Sequence, residues 1–104
     1  MLSIHLVELT LLDEHRYSPT LGYLHAALVA APDVAPRVSV HKHISPATAN
    51  GQASLLETVL PDDPDATFVV AFTVYFWNRP QTMAVAARIK AARPHAVIVV
   101  GGND

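Results

Sequence analysis

The most constraining feature of this sequence is a regular alternation of short apolar segments with longer segments of helical character. Four segments have the β-branched, apolar composition of strands, at residues 3–9, 37–44, 67–72 and 96–100. The segments between them place apolar residues at helical spacing. Strands that alternate with helices of about 10 to 15 residues favour right-handed βαβ crossovers and a parallel sheet. The sequence therefore predicts an α/β fold.

The second strand segment differs from the others because it alternates between apolar and polar residues. Val38 and Val40 fall on one face, while Ser39, His41 and His43 fall on the other. A half-polar strand suits the edge of a sheet, and wholly apolar strands suit positions covered by helices. The pattern predicts a three-layer, doubly wound parallel sheet of Rossmann-like or flavodoxin-like type, with strand order 2-1-3-4.

Three sites have the residues that start helices. Ser18-Pro19 places a capping hydroxyl before a proline at the first helical position. Asn50-Gly51 is expected to open the second helix. Asn78 and Gln81 have the spacing of a capping box, so the third helix is expected to begin after Asn78.

The fourth strand segment is apolar throughout, and the chain ends shortly after it. As the last strand of a sheet it would be an unprotected edge. In the five-stranded order 2-1-3-4-5 it would have a neighbour on each side. We therefore expect residues 1–104 to form one domain that is truncated after strand 4, as a fragment of a larger protein. Self-association through the strand 4 edge is another way to cover it.

Composition excludes several classes of function. The formal net charge of −2 and the scattered basic residues argue against nucleic acid or an anionic membrane as the main partner. The absence of cysteine excludes disulfides, thiolate metal sites and a cysteine nucleophile. No secretion signal is evident, and no apolar run reaches the roughly 20 residues of a membrane span. A cytoplasmic protein is expected.

A binding site is expected beyond the carboxyl ends of the strands, where the strand order reverses. For the order 2-1-3-4 this point lies between strands 1 and 3. The loops that meet there are residues 10–18, 73–77 and 101–104. The first of these loops is long and charged, the second carries three consecutive aromatic residues, and the third begins with two glycines.

Each loop feature has a structural and a functional interpretation. Gly101 and Gly102 can simply form a turn, or they can let the backbone approach a large ligand closely. Tyr75, Phe76 and Trp77 can cap the core, or they can form a flat apolar wall for a macrocycle or base.

Four histidines are dispersed over helix, edge-strand and turn positions of the predicted elements. They are His25, His41, His43 and His95. His41 and His43 share a strand face, but the sequence shows no third ligand beside them. We therefore expect no metal site there.

Four segments together resemble the cobalamin-binding domain of radical SAM enzymes. They are residues 17–24 (YSPTLGYL), 72–78 (FTVYFWN), 89–94 (IKAARP) and 97–102 (VIVVGG), with Pro80 in the helix between the second and third. Order and spacing agree over nearly the whole chain. The resemblance implies that the cofactor-binding residues are Tyr17, Ser18, Thr73, Val74, Tyr75, Phe76, Trp77, Asn78, Gly101 and Gly102.

The first loop is similar to a second cobalamin motif. Cobalamin-dependent mutases and methionine synthases carry Asp-x-His-x-x-Gly after strand 1, and their His coordinates cobalt from below. This chain has the sequence DEHRYS at residues 13–18, with Ser18 in place of the glycine. The similarity implies His15 as a lower axial ligand of cobalt. The alternative is cobalamin without a protein ligand, with residues 73–77 near its lower face.

The resemblance also implies the activity of a parent enzyme. Such an enzyme holds cobalamin beside a [4Fe–4S] cluster and S-adenosylmethionine, and moves a methyl group through cobalamin to an unactivated substrate atom. This chain has no cysteine to bind the cluster. We therefore expect a radical SAM domain C-terminal to Asp104, so that the partners of this chain are cobalamin and that domain.

Other functions are possible on the same fold. A flavodoxin-like domain needs a phosphate-binding loop rich in small polar residues after strand 1, whereas residues 10–18 are charged. A receiver-like domain needs an aspartate at the end of strand 3, where this chain has Phe72-Thr73. A degenerate, non-enzymatic interaction module that uses strand 4 is the remaining alternative.

Overall fold

The computed structural model describes residues 1–11 and 18–102. Its described part is an α/β structure with a four-stranded, all-parallel sheet in the order β2-β1-β3-β4. The predicted fold class and strand order are thereby confirmed, and the architecture is that of a flavodoxin-like or Rossmann-like fold. The elements are β1 (Leu2–Thr10), α1 (Pro19–Ala30), a 3-10 turn (Ala35–Arg37), β2 (Val38–Pro46), α2 (Ala49–Val59), β3 (Val69–Thr73), α3 (Arg79–Ala92) and β4 (Val97–Gly101).

β1 is paired on both sides and sets the register of the sheet. Its pairing with β2 runs from Leu2 opposite Val38 to Thr10 opposite Pro46. On its other side β1 pairs with β3. β3 in turn pairs with β4, from Val69 opposite Val97 to Thr73 opposite Gly101. The carboxyl ends of the strands therefore meet at one edge of the sheet, where the loops of the expected site begin.

One face of the sheet packs against α2 and α3, and we call it the α2–α3 face. Because side chains alternate along a strand, odd-numbered residues of β1 and even-numbered residues of β3 point to this face. They form one continuous buried core with the two helices. Its members include Val7, Leu9, Leu55, Val59, Val70, Phe72, Val85 and Ile89.

The opposite face packs against α1 and is called the α1 face. Leu6 and Leu21 are buried there, outside the main core. Other apolar side chains of α1 are much more exposed: Leu24 is 43% and Val29 54% accessible. α1 therefore covers only part of this face.

Local capping explains where the first two helices begin. Ser18 Oγ accepts a hydrogen bond from Leu21 N at 3.2 Å, as the sequence predicted. The second helix begins earlier than predicted, because Thr48 caps it by accepting from Gly51 N at 3.1 Å. Gly51 lies inside the helix, where a Cβ would be 2.1 Å from the Pro46 carbonyl oxygen. The glycine permits close packing of α2 on the end of β2.

β4 is an exposed edge strand, as expected from its position in the order. In the part of the chain that the structure describes, it pairs with β3 alone, and Val97, Val99 and Val100 are each nearly half accessible. Within residues 1–11 and 18–102, no helix has the length and apolar character needed to cross a membrane.

Candidate functional site

The carboxyl ends of β1 and β3 are joined by a carboxylate that sequence reasoning missed. Glu8 Oε1 accepts hydrogen bonds from Ser18 Oγ at 2.8 Å and from Thr73 Oγ1 at 3.1 Å. These bonds connect β1, the start of α1 and the end of β3. The signal in the sequence was the single carboxylate of a largely apolar strand, two residues before its end. Buried polar groups need partners, so an acidic residue at such a position indicates a local network.

Two predicted site hydroxyls are therefore already engaged. Ser18 is 4% and Thr73 is 3% accessible, and each donates its hydrogen to Glu8. Ser18 also accepts from Leu21 N. The two hydroxyls are therefore part of the network around Glu8 and are not free donors for a ligand.

Asn78 has a different role from the predicted helix cap, and its capping box with Gln81 is wrong. The Asn78 side chain makes no capping bond. Its Oδ1 instead accepts from Tyr75 N at 2.8 Å, and its Nδ2 donates to the carbonyls of Leu9 at 3.0 Å and Thr73 at 3.3 Å. Three bonds to fixed backbone groups satisfy this fully buried amide better than one helix cap could. Asn78 thus fixes the loop after β3 to the end of β1.

The aromatic loop forms a smaller surface than the predicted wall. Tyr75 and Trp77 stack on each other, with ring centroids 5.0 Å apart and planes 5° apart. The Tyr75 hydroxyl lies 3.3 Å from Thr20 Oγ1 of α1. Phe76 alone projects into solvent, with 79% of its surface accessible. The loop therefore offers one free aromatic ring beside a stacked pair that is tied to α1.

The two glycines after β4 differ in what they permit. Gly102 has a φ of +150°, and a Cβ there would lie 2.2 Å from the Val74 carbonyl oxygen. Val74 is buried, and its amide donates to the Gly101 carbonyl at 2.7 Å. Gly102 is therefore required by packing within the protein. A Cβ at Gly101 would meet nothing within 4 Å, so Gly101 is the glycine that leaves open space.

That open space belongs to an apolar groove on the α1 face. The groove has a volume of about 590 Å³ and lies between α1 and the strands β3 and β4. Its walls are almost entirely hydrocarbon, and it reaches the strand ends at Thr73 and Gly101. Typical contributors are Leu6, Leu24, Leu28, Ala71, Val99 and Gly101. The part of the groove at Thr73 and Gly101 lies at the carboxyl ends of β3 and β4, the edge of the sheet at which open α/β folds bind ligands.

Comparison with protein-family models, with curated proteins and with solved structures found no match to this chain. The site is therefore judged on its own geometry.

The structure brings most of the predicted site residues to one end of the sheet. Ser18 and Thr73 meet at Glu8, and Val74 meets Gly101 and Gly102. His15 and Tyr17 lie outside the described residues. Among the residues that are described, no group of three His, Cys, Asp or Glu side chains could hold a metal ion.

The groove would suit a mostly apolar ligand, because its walls are apolar and Gly101 leaves its rim open.

Proposed function

We propose that this chain is the cobalamin-binding domain of a radical SAM enzyme of the methyltransferase type. The observation that carries the proposal is the apolar groove on the α1 face, which opens at the strand ends beside Gly101. Its length along α1 suits an elongated group such as the nucleotide tail. The resemblance of residues 72–78 and 97–102 to that family favours cobalamin over other ligands of this fold.

In this proposal the chain's own residues hold and position the cofactor. Gly101 allows close approach at the rim, and Phe76 packs against the ring. Glu8 and Asn78 act one step away, because their hydrogen bonds keep Ser18, Thr73 and the aromatic loop in place. His15 is the candidate axial ligand of cobalt, and binding without a protein ligand is the alternative.

Bound cobalamin would supply a carrier for a methyl group taken from S-adenosylmethionine. The [4Fe–4S] cluster needs cysteine ligands, and this chain has no cysteine. In this proposal the cluster and S-adenosylmethionine are bound by a radical SAM domain that follows residue 104 and is the expected protein partner. In this proposal the enzyme is cytoplasmic.

A titration with hydroxocobalamin tests the proposal. We expect the wild-type chain to shift the absorption spectrum and to retain the cofactor through gel filtration. Gly101→Leu fills the groove rim and should weaken binding by about tenfold or more, equivalent to about 1.4 kcal/mol. Ala87→Leu, on an exposed position of α3 at the other side of the sheet, is the matched control and should bind normally.

No spectral change and no retention by the wild-type chain would contradict the proposal. If His15→Ala changes the absorption spectrum of bound cobalamin, His15 ligates cobalt directly. If the spectrum is unchanged, cobalamin is bound without a protein ligand.

The exposed β4 edge favours a second candidate function, a non-enzymatic interaction module. Val97, Val99 and Val100 offer an uncharged strand with one free side. In that case the chain should self-associate through β4, and Val99→Lys should convert the assembly to monomers without any cofactor being bound. Light scattering after gel filtration distinguishes this outcome from cobalamin binding by a monomer.

A further inference from the structure

Three imidazoles lie together on the α2–α3 face, far from the strand ends. His5 of β1 lies opposite His41 of β2. His43, two residues further along β2, lies opposite Val7. The His5 ring stacks on both neighbours, with centroids 5.1 Å from His41 and 5.1 Å from His43. His5 Nδ1 and His43 Nε2 are 2.9 Å apart and share a hydrogen bond. We call His5, His41 and His43 the imidazole cluster.

The imidazole cluster does not converge on a metal position. His41 Nε2 is 2.9 Å from Ser39 Oγ and so is directed along its own strand. Within the cluster, the two nitrogens that face each other are His5 Nδ1 and His43 Nε2. The described residues contain no group of three His, Cys, Asp or Glu side chains that could hold a metal ion. The chemistry open to the cluster is therefore the gain and loss of protons.

The bond between His5 and His43 limits the number of protons that the pair can hold. A hydrogen bond needs one nitrogen with a hydrogen and one with a free lone pair. When only one of the two histidines is protonated, the hydrogen bond between them can remain. When both are protonated, both nitrogens carry hydrogens and the bond is lost. Two adjacent cations would then also repel each other.

The surroundings of the cluster favour the neutral rings. Burial is the largest cause that lowers the pKa of His5 to about 4, and the neighbouring His43 and His41 lower it further. Burial, and then His41, also lower the pKa of His43 from its ordinary value. Phe68 packs edge-on against His5 with centroids 6.2 Å apart, which adds apolar contact but no charge.

Among residues 1–11 and 18–102, no acidic group is a cause that shifts the pKa of His5 or His43. Glu8 and Lys42 belong to the same two strands but point to the α1 face. Glu57 is the only titratable residue of α2, and it lines a groove toward Arg88 of α3. The acidic turn before β3 is exposed to solvent and is not among the causes that shift the pKa of His5. Its carboxylates are Asp62, Asp63 and Asp65.

We propose that the imidazole cluster is an acid-sensitive switch that holds β2 on β1 when neutral and releases β2 when His5 and His43 are both protonated. Within the described ranges 1–11 and 18–102, β2 is an edge strand that pairs with β1 alone. At its end, Ala47 N donates to the Thr10 carbonyl at 2.7 Å, so that release of β2 also frees the end of β1. The switch rests on the contacts of β1 with β2 and is independent of any ligand at the strand ends.

The direction of the pH effect follows from the lowered pKa values. When β2 is released, His5 and His43 regain the ordinary histidine pKa of 6.5, whereas the pKa of His5 is lowered to about 4 while β2 is paired with β1. The released form therefore binds more protons between these values. The stabilisation is fully present above pH 6.5 and is lost as the pH falls from there toward 4.

Hydrogen exchange followed residue by residue in NMR spectra tests this switch. Between about pH 7 and pH 5, the protection factors of β2 amides should fall about tenfold or more, while those of β3 amides should fall much less. His5→Phe keeps a ring between His41 and Phe68 but cannot take up a proton, so the selective loss at β2 should nearly vanish. His95→Gln, at an exposed position before β4, is the matched control and should behave as wild type.

Equal loss of protection at β2 and β3, or an unchanged loss in His5→Phe, would overturn the proposal. If His5→Phe does not fold, the imidazole signals of the wild-type chain decide the question. The switch requires the pKa of His5 to lie well below the ordinary histidine value of 6.5. Titration of His5 at that ordinary value would overturn it.

Discussion

The two faces of the sheet are built from the same strands but are packed very differently. On the α2–α3 face, Val7, Val70 and Ile89 are fully buried in one continuous core. On the α1 face, Leu24 and Val99 remain 43% and 49% accessible beside an open groove. Apolar residues on both sides of β1 predict burial on both sides. The α1 face therefore has the composition of a buried surface without the packing of one, which is why it is the better candidate for ligand binding.

The largest expected effect on stability concerns the α2–α3 face. Ile89→Ala should lower the free energy of unfolding by about 3 kcal/mol, because it leaves a cavity in a fully packed region. Urea denaturation followed by circular dichroism measures the change. A loss below about 1 kcal/mol would show that this face is as loosely packed as the other.

A second prediction separates the two glycines at the boundary of the open groove. Gly102→Ala should destabilise the chain by about 2 kcal/mol, since its φ of +150° and its contact with the Val74 carbonyl both exclude a Cβ. Gly101→Ala, where a Cβ meets nothing within 4 Å, should be nearly neutral and is the control. Thermal unfolding midpoints compare the two variants. Equal losses would contradict the assignment of Gly102 to packing and Gly101 to open space.

A third prediction concerns the carboxylate of the α1 face. Glu8→Gln keeps an acceptor oxygen for Ser18 and Thr73 but removes its charge, so stability should fall by about 1 kcal/mol. Glu57→Gln, an exposed position on α2, should change stability by much less. Denaturation at neutral pH measures both variants, and a larger loss in Glu57→Gln would contradict the role of Glu8 as a tie between elements.

The smallest effect on stability is expected on the α1 face. Leu24→Ala should lower the free energy of unfolding by about 0.5 to 1 kcal/mol, because Leu24 contributes to the groove wall but is partly exposed. The same change should weaken ligand binding more than it weakens folding. If Leu24→Ala destabilises as much as Ile89→Ala, the unequal packing of the two faces is wrong.

Local patterns in the sequence predicted much of this fold. The polar alternation around His41 placed β2 at one edge of the sheet, and the predicted strand order 2-1-3-4 placed β4 at the other. Ser18 was identified as a helix cap because its partner, Leu21, is only three residues away. These features depend on neighbours in the chain, so a sequence contains the information directly.

Features that depend on distant partners were not predicted. Asn78 looked like a helix cap because its bond to the Leu9 carbonyl requires the position of β1 relative to the loop. His5 was not linked to His43 because their contact depends on the register of β1 with β2. Glu8 was overlooked for the same reason, although a lone carboxylate in an apolar strand was a usable signal.

The most direct test of the central claim is chemical-shift mapping with hydroxocobalamin on the 15N-labelled chain. The account predicts that the perturbed amides cluster on the α1 face and the strand ends, at Leu24, Ala71 and Gly101. Amides of the α2–α3 face, such as Val85 and Ile89, should stay unchanged. Perturbations confined to the α2–α3 face, or no perturbation at any cofactor concentration, would contradict it.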